Sequence, residues 1–323
     1  MITLVVRRIP AEKGGQMFRR IAIVLLAVLL MGCGQVAGPA SQGGQPTAAA
    51  ASGGEVTPQF AFSEAVVGRN RMAIGLLRNQ APVNDPGAKV HLRFFDLDQQ
   101  NSPVKFEADA TYYGQGLPAG FYVAYPTFDK AGNWGVEIET RLSGQPQPST
   151  SRLRLEVKQK SDTPNVGQPA IAVKTPTVKD TPDHSHLSSG TEIDPAMYQI
   201  SLDDALKSGK PTALLFATPG FCQTATCGPS LQVMQGLQKT YGDKMNFIHV
   251  EVYKYPFGES AQRQDGSGLS APMVAWHLQS EPWLYLIDAQ GTIAARFEGG
   301  ITKEELAPAL EKLIAGQAVV IGS

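Results

Sequence analysis

Two cysteines, Cys222 and Cys227, are the residues of this sequence with the clearest capacity for chemistry. Four residues separate them, and they lie between an apolar run at 211–217 and a helical pattern that begins near Pro229. The positive end of a helix dipole favours a thiolate, and the thiolate is the nucleophilic form of cysteine. The pair is therefore a candidate redox-active dithiol at a strand-to-helix junction.

The spacing of the two cysteines restricts where each one can lie. Residues i and i+5 are about 140° apart around a helix of roughly 3.6 residues per turn, so both cannot lie on one regular helix and bond. Because proline favours the first helical turn, Pro229 places Cys227 at the helix start and Cys222 in the preceding loop. Cys227 is then the expected thiolate and Cys222 its disulfide partner. The reverse assignment, in which Cys222 is the nucleophile of a lengthened loop, stays open.

The sequence around the dithiol alternates between strand and helix patterns. Continuous apolar runs predict strands that are buried on both faces, and Leu231, Met234 and Leu237 recur at helical spacing. Ser201 and Thr302 are expected helix caps, with Glu305 completing a capping box. The predicted helices are 200–209, 229–241 and 302–315, and the predicted strands are 211–217, 245–252, 282–288 and 292–297.

Three segments in this order resemble thioredoxins. Residues 216–230 resemble the cysteine region of that family, residues 280–291 resemble the segment that holds a cis-proline facing the cysteines, and residues 297–306 resemble the last helix. The resemblance spans about 120 residues. It implies an α/β thioredoxin-like domain at 191–318, with Pro282 as the cis-proline.

The motif departs from that family at one point. The family has two residues between its cysteines, whereas four intervene here, and Ser230 takes the place of the second cysteine after Cys-Gly-Pro. The resemblance also places Glu281 beside the dithiol. There its carboxylate is either a proton acceptor, a like charge that raises a thiol pKa, or simply a solvated loop charge.

The N-terminus has the pattern of a targeting segment. Arg19 and Arg20 precede an apolar run at 21–31, which is short for a membrane span but suits a signal peptide. The residues that end in Cys33 resemble the lipobox of bacterial lipoproteins. That resemblance implies a signal peptide at 1–33 and a lipid on Cys33, which would hold the protein on the extracytoplasmic side of the membrane of the cell envelope. An uncleaved membrane anchor is the alternative. Disulfides persist on the extracytoplasmic side of the membrane, so Cys222 and Cys227 can be oxidised there.

Between the two ends, the composition changes twice. Residues 34–57 are rich in Gly, Ala, Ser and Gln and predict a flexible tether, and residues 159–190 predict a proline-rich linker. Residues 58–158 alternate at period two and resemble an immunoglobulin-like β-sandwich, for which a spacer or docking role is expected. The predicted strands are 59–64, 71–77, 90–95, 105–113, 121–125, 134–140 and 152–157.

These patterns predict a thiol–disulfide oxidoreductase without a cofactor, acting on protein thiols and disulfides. A net charge of −1 gives no reason to expect nucleic acid as a partner. The alternatives are a copper metallochaperone resembling Sco proteins, a binding module with a structural disulfide, and a peroxidase. His184 and His186 are weak metal-ligand candidates, His249 is expected in the core, and His277 is not expected at the cysteines.

Overall fold

The computed structural model describes residues 55–322 of the chain. The predicted signal peptide, Cys33 and nearly all of the predicted tether lie outside these residues. Between 55 and 322, no helix combines the length and the apolar character that crossing a membrane requires. The described residues form an all-β domain followed by a mixed α/β domain, as the sequence predicts.

The N-terminal domain is built from strands whose faces alternate between buried and exposed. Six of the seven predicted strands are present close to their predicted bounds, and four additional short strands occur. The first strand, predicted at 59–64, lies instead at Val56–Phe60. The strands are β1 (Val56–Phe60), β2 (Ala65–Val66), β3 (Gly68–Arg69), β4 (Met72–Arg78), β5 (Ala81–Pro82), β6 (Lys89–Asp96), β7 (Val104–Tyr113), β8 (Phe121–Ala124), β9 (Thr127–Phe128), β10 (Gly132–Arg141) and β11 (Ser149–Lys158).

One long strand, β7, joins the two halves of this domain. Its first part pairs with β6 and its last three residues pair with β8, giving the order β1-β4-β8-β7-β6-β10-β11-β2, with β5 on β4. Apolar residues from both halves meet in one core that includes Ile74, Tyr122, Phe94 and Trp134. The two halves share one core, and residues along their strands alternate between buried and exposed. This arrangement is the all-β layered domain that the period-two pattern indicates.

The C-terminal domain has a four-stranded sheet of order β13-β12-β14-β15, in which only the β12–β13 pair is parallel. Two 3₁₀ turns, His184–His186 and Pro195–Tyr198, precede it. Its elements are α1 (Leu202–Ala205), β12 (Thr212–Ala217), α2 (Cys227–Tyr241), β13 (Asn246–Glu251), α3 (Phe257–Ala261), α4 (Ala271–Ala275), β14 (Trp283–Ile287), β15 (Ile293–Glu298) and α5 (Lys303–Ile314).

Strand β12 lies between two apolar cores, which explains its uninterrupted apolar sequence. Leu215 and Ala217 face the core that contains α2 and α5, whereas Leu214 and Phe216 face the core on the other side of the sheet. All six residues of the strand are buried. The prediction of a strand covered on both faces is confirmed.

The predicted capping of α5 is only half right. Thr302 accepts a hydrogen bond from the Glu305 N–H, as expected, but the Glu305 carboxylate does not return to the cap. It pairs instead with the Arg71 guanidinium at 2.6 and 2.8 Å and accepts a 2.6 Å hydrogen bond from Tyr125. Because Arg71 and Tyr125 belong to the N-terminal domain, called here the β domain, this buried pair joins the two domains.

Helix α1 is shorter than its predicted range, and Ser201 makes no capping bond to it.

Residues 159–190, the predicted linker, are called here the connecting segment. They pack along the C-terminal domain and make specific hydrogen bonds to it. Trp276 Nε1 donates to the Ile171 carbonyl at 3.1 Å, and the Val178 N–H donates to the Tyr198 carbonyl at 3.0 Å. Near its end, Ser189 reaches the loop that carries the cysteines.

Candidate redox site

The two cysteines form a disulfide at the N-terminus of α2. Cys222 lies in the loop that follows β12, and Cys227 is the first residue of the helix, as the spacing predicts. Their Cα atoms are 5.9 Å apart, which lies in the usual range for a disulfide. Pro229 lies in the first turn of α2.

The two sulfurs have different surroundings. Cys227 is 0% exposed and belongs to the apolar core beneath the loop, whereas Cys222 is partly exposed. The Cys227 N–H donates to Cys222 Sγ at 3.2 Å, and Thr224 Oγ1 is 3.4 Å from the same sulfur. Cys222 is therefore the cysteine that is partly exposed, and its Sγ is contacted by a helix N-terminal N–H. These contacts favour the assignment that the sequence left as the alternative.

The loop of residues 218–226, called here the redox loop, has an unusual backbone between the cysteines. Ala225 has φ 56°, a left-handed conformation that costs a non-glycine residue about 1 kcal/mol or more. Phe221, directly before Cys222, leaves 40% of its side chain exposed. A partly exposed sulfur next to an exposed ring gives this loop an apolar surface where another chain can contact it.

The segment that contains Pro282 lies against the redox loop. The Glu281–Pro282 peptide bond is cis, as the resemblance implied, and Pro282 is buried. The Gln223 N–H donates to the Glu281 carboxylate. Burial raises the pKa of Glu281, the hydrogen bond from Gln223 opposes that rise, and the charge of Glu251 adds to it. Glu281 is thus a partly buried contact of the redox loop and not a solvated loop charge.

Glu251 is a second carboxylate near this loop, and the sequence analysis did not select it. It is 6% exposed at the end of β13 and accepts hydrogen bonds from the Ser189 N–H and Oγ, both at 2.8 Å. Burial raises its pKa, and hydrogen bonds from Thr218 and Ser189 oppose the rise. The sequence pattern that could have identified Glu251 is a charged residue between Val250 and Val252 in an otherwise apolar strand.

Ser189 connects this carboxylate to the redox loop. Its hydroxyl also accepts the Gly220 N–H at 3.0 Å. A Cβ atom on Gly220 would lie 2.7 Å from the Ser189 carbonyl oxygen, so the close approach requires glycine. The connecting segment therefore fixes the redox loop through Ser189, Gly220 and Glu251.

The histidines lie apart from the dithiol contacts. His249 is buried, with Nε2 3.0 Å from the Ala217 carbonyl and Nδ1 2.5 Å from Tyr198 Oη, so it is a core residue as expected. Burial lowers its pKa from 6.5 to about 4. His184 and His186 occupy a 3₁₀ turn, where His186 stacks on Tyr255. Within residues 55–322, no three His, Cys, Asp or Glu side chains are grouped so that they could hold a metal ion.

Comparison with known protein families agrees with the fold of the C-terminal domain. Residues 198–314 match the family model of a thioredoxin-like domain. No curated protein matches the chain. Among solved structures, a putative thiol:disulfide interchange protein DsbE from Chlorobium tepidum is 17% identical with a TM-score of 0.32, covering 48% of this chain and 98% of that one. A thiol:disulfide interchange protein of the thioredoxin family, also from Chlorobium tepidum, is 19% identical with a TM-score of 0.28, covering 45% of this chain and 99% of that one.

A third similar structure is a DUF4426 family protein from Pseudomonas aeruginosa. It is 14% identical with a TM-score of 0.24, and the match covers 33% of this chain and 91% of that one. The matched family model spans the sheet, the redox loop and α5 together. The described residues therefore form a large β-sheet domain followed by a C-terminal thioredoxin-like domain.

Proposed function

We propose that this protein is a thiol–disulfide oxidoreductase that works outside the cytoplasm, tethered to the membrane by a lipid on Cys33. The observation that carries the proposed activity is the bonded Cys222–Cys227 pair at a helix N-terminus, in which Cys222 is a partly exposed residue. The match of residues 198–314 to a thioredoxin-like domain supports it. The tether is supported by the sequence around Cys33.

In the reducing direction, the Cys222 thiolate attacks one sulfur of a substrate disulfide. The substrate disulfide bond breaks, its second sulfur leaves as a thiolate that takes up a proton, and a mixed disulfide forms at Cys222. Cys227 then loses its proton and attacks Cys222 Sγ, which releases the first substrate sulfur. The substrate gains two electrons and two protons, and the protein dithiol loses them. The same steps in reverse oxidise a substrate dithiol.

The surroundings of Cys222 suit the attacking role. The Cys227 N–H that points at Cys222 Sγ stabilises a negative charge on that sulfur, as does the positive end of the α2 dipole. Burial keeps Cys227 away from solvent and from competing thiols. Glu281, whose pKa burial raises, contacts the redox loop and is a candidate to accept the proton of Cys227.

The test is a redox titration of the full-length protein, combined with the single-cysteine variants and mass spectrometry. We expect a measurable dithiol–disulfide equilibrium between Cys222 and Cys227, a stable mixed disulfide on Cys222 in Cys227→Ser, and loss of exchange in Cys222→Ser. Exchange that persists in both variants would rule out this activity.

A structural disulfide is the second candidate, because Cys227 belongs to the apolar core beneath the redox loop. The same titration separates the two functions. Structural disulfides in secreted proteins have potentials below about −300 mV, whereas labile or catalytic ones are more oxidising. A potential below that value, together with no mixed disulfide in Cys227→Ser, would favour the structural role.

A further inference from the structure

A groove of about 410 Å³ lies between the β domain and the redox loop. Phe60, Phe62, Leu77 and Phe121 of the β domain line one side. The rings of Phe60 and Phe62 are 4.9 Å apart and form a continuous aromatic wall. An apolar wall of this kind removes large side chains of a partner from water, which is the main source of affinity at such sites.

The opposite side of the groove belongs to the thioredoxin-like domain. Thr224 and Thr226 of the redox loop line it, together with the Glu281 segment. Thr224 Oγ1 is also 3.4 Å from Cys222 Sγ. A polypeptide joined to Cys222 therefore has this groove directly beside the bond.

The charges at the groove are of one sign. Glu281 and Glu298 line it, and none of its described lining residues is a lysine, an arginine or a histidine. Glu298 accepts hydrogen bonds from the Ser63 N–H and Ser280 Oγ, which fix it at the meeting point of the two domains. Two carboxylates beside an apolar wall favour a positively charged partner over an acidic one.

We infer that the groove binds a polypeptide segment that carries a large apolar side chain beside a lysine or arginine, close to its cysteine. The inference rests on the proposed function and names its substrate class. The apolar side chain contacts the Phe60 and Phe62 wall, and the cation lies at Glu281 and Glu298. The β domain thereby selects the substrate on which the redox loop acts.

Binding can be measured without exchange. Labelled peptides of equal length, with serine in place of cysteine, are titrated with the oxidised full-length protein and followed by fluorescence anisotropy. One peptide carries adjacent phenylalanine and lysine, a second carries phenylalanine and glutamate, and a third carries alanine and lysine. We expect the first peptide to bind about tenfold more tightly than either of the others.

Variants locate the binding. Phe62→Ala is expected to weaken binding of the phenylalanine–lysine peptide about fivefold to tenfold. Leu77→Ala tests the same wall by a second substitution, and circular dichroism reports whether each variant is folded. Val104→Ala, at a 45% exposed apolar residue of β7 outside the groove lining, is the matched control and should leave binding unchanged.

The inference is overturned if the three peptides bind equally, or if the groove variants behave like Val104→Ala. Because the peptides contain no cysteine, this outcome is independent of the redox titration. Selective binding without dithiol exchange would contradict the proposed oxidoreductase activity alone. Dithiol exchange without selective binding would contradict substrate binding in the groove alone.

Discussion

The difference between Cys222 and Cys227 shows how strongly a cysteine in front of a helix differs from one in its first turn. Both thiols belong to the same short segment, but only Cys222 is partly exposed and receives an N–H from the helix start. The sequence favoured Cys227 as the thiolate because it is nearest the helix dipole. A residue at the first helical position directs its own N–H outward, however, so the sulfur in front of the helix benefits more than the sulfur on it.

His249 provides a prediction at the residue scale. Its pKa is lowered by burial to about 4, so the folded protein prefers the neutral imidazole. The stability from this preference is fully present above pH 6.5 and is lost as pH falls through 6.5 toward 4. His249→Gln keeps a donor and an acceptor but does not titrate. Its free energy of unfolding, measured with urea, should therefore not show the loss of about 2 kcal/mol between pH 7 and pH 5 that the wild-type protein shows. The same pH dependence in both proteins would contradict the assignment.

At the scale of elements, the connecting segment and the redox loop are held together at close range. Gly220 has no room for a side chain beside the Ser189 carbonyl, whereas Gly236, in the middle of α2, has nothing within 4 Å of an added Cβ. The conformation of the redox loop therefore depends on a segment that lies more than thirty residues earlier in the sequence.

This contrast between glycines gives a matched pair of substitutions. Gly220→Ala should lower the free energy of unfolding by about 1–3 kcal/mol and slow dithiol exchange, because the loop must move away from Ser189. Gly236→Ala should raise the free energy of unfolding by about 0.5–1 kcal/mol, because alanine is the better helix former. Chemical denaturation measures both effects, and an equal response of the two variants would show that the close approach is unimportant.

The Arg71–Glu305 pair is the element-scale contact between the domains. Both side chains are 3% exposed, so removing one leaves a buried charge without its partner. Arg71→Met should cost about 3–5 kcal/mol of stability, and the double variant Arg71→Met, Glu305→Met should recover most of it.

The exposed Lys207–Asp204 pair of the same chain is the control for that prediction. Lys207→Met should change stability by less than about 1 kcal/mol, because solvent screens an exposed pair. If Arg71→Met costs no more than Lys207→Met in thermal or urea unfolding, the buried pair does not hold the domains together.

At the scale of the whole molecule, the β domain, the connecting segment and the thioredoxin-like domain belong to one compact unit within the described residues 55–322. A spacer or docking role for the β domain was expected from the sequence. The buried Arg71–Glu305 pair and the groove shared with the redox loop favour the docking role, in which the domain takes part in the site. The groove residues of the β domain and the cysteines of the redox loop can then contact the same substrate.

The proposed tether is tested on the whole protein. In bacterial cells supplied with labelled palmitate, the wild-type chain should incorporate label and sediment with membranes. Cys33→Ser should incorporate none, because a thiol is needed for the lipid. Label that remains in Cys33→Ser would show that this cysteine is not the site of attachment.

The sequence by itself determined the local elements and the dithiol. Alternation at period two in the β domain, apolar runs in the central sheet, and Pro229 after Cys227 are patterns over a few consecutive residues, and the geometry of a strand or a helix relates each of them to a buried face or a helix start. These patterns predicted six main strands of the β domain, the position of Cys227 at the helix start and the thioredoxin-like order of elements.

Only the tertiary structure decided which distant residues meet. Glu305 is close in sequence to its predicted cap, but it pairs with Arg71, 234 positions away. Glu251 and Ser189 meet at the redox loop, and Phe62 lines a groove with Thr224. Such contacts depend on how two domains pack and which side chains that packing buries, and the spacing of residues along the chain carries no record of it.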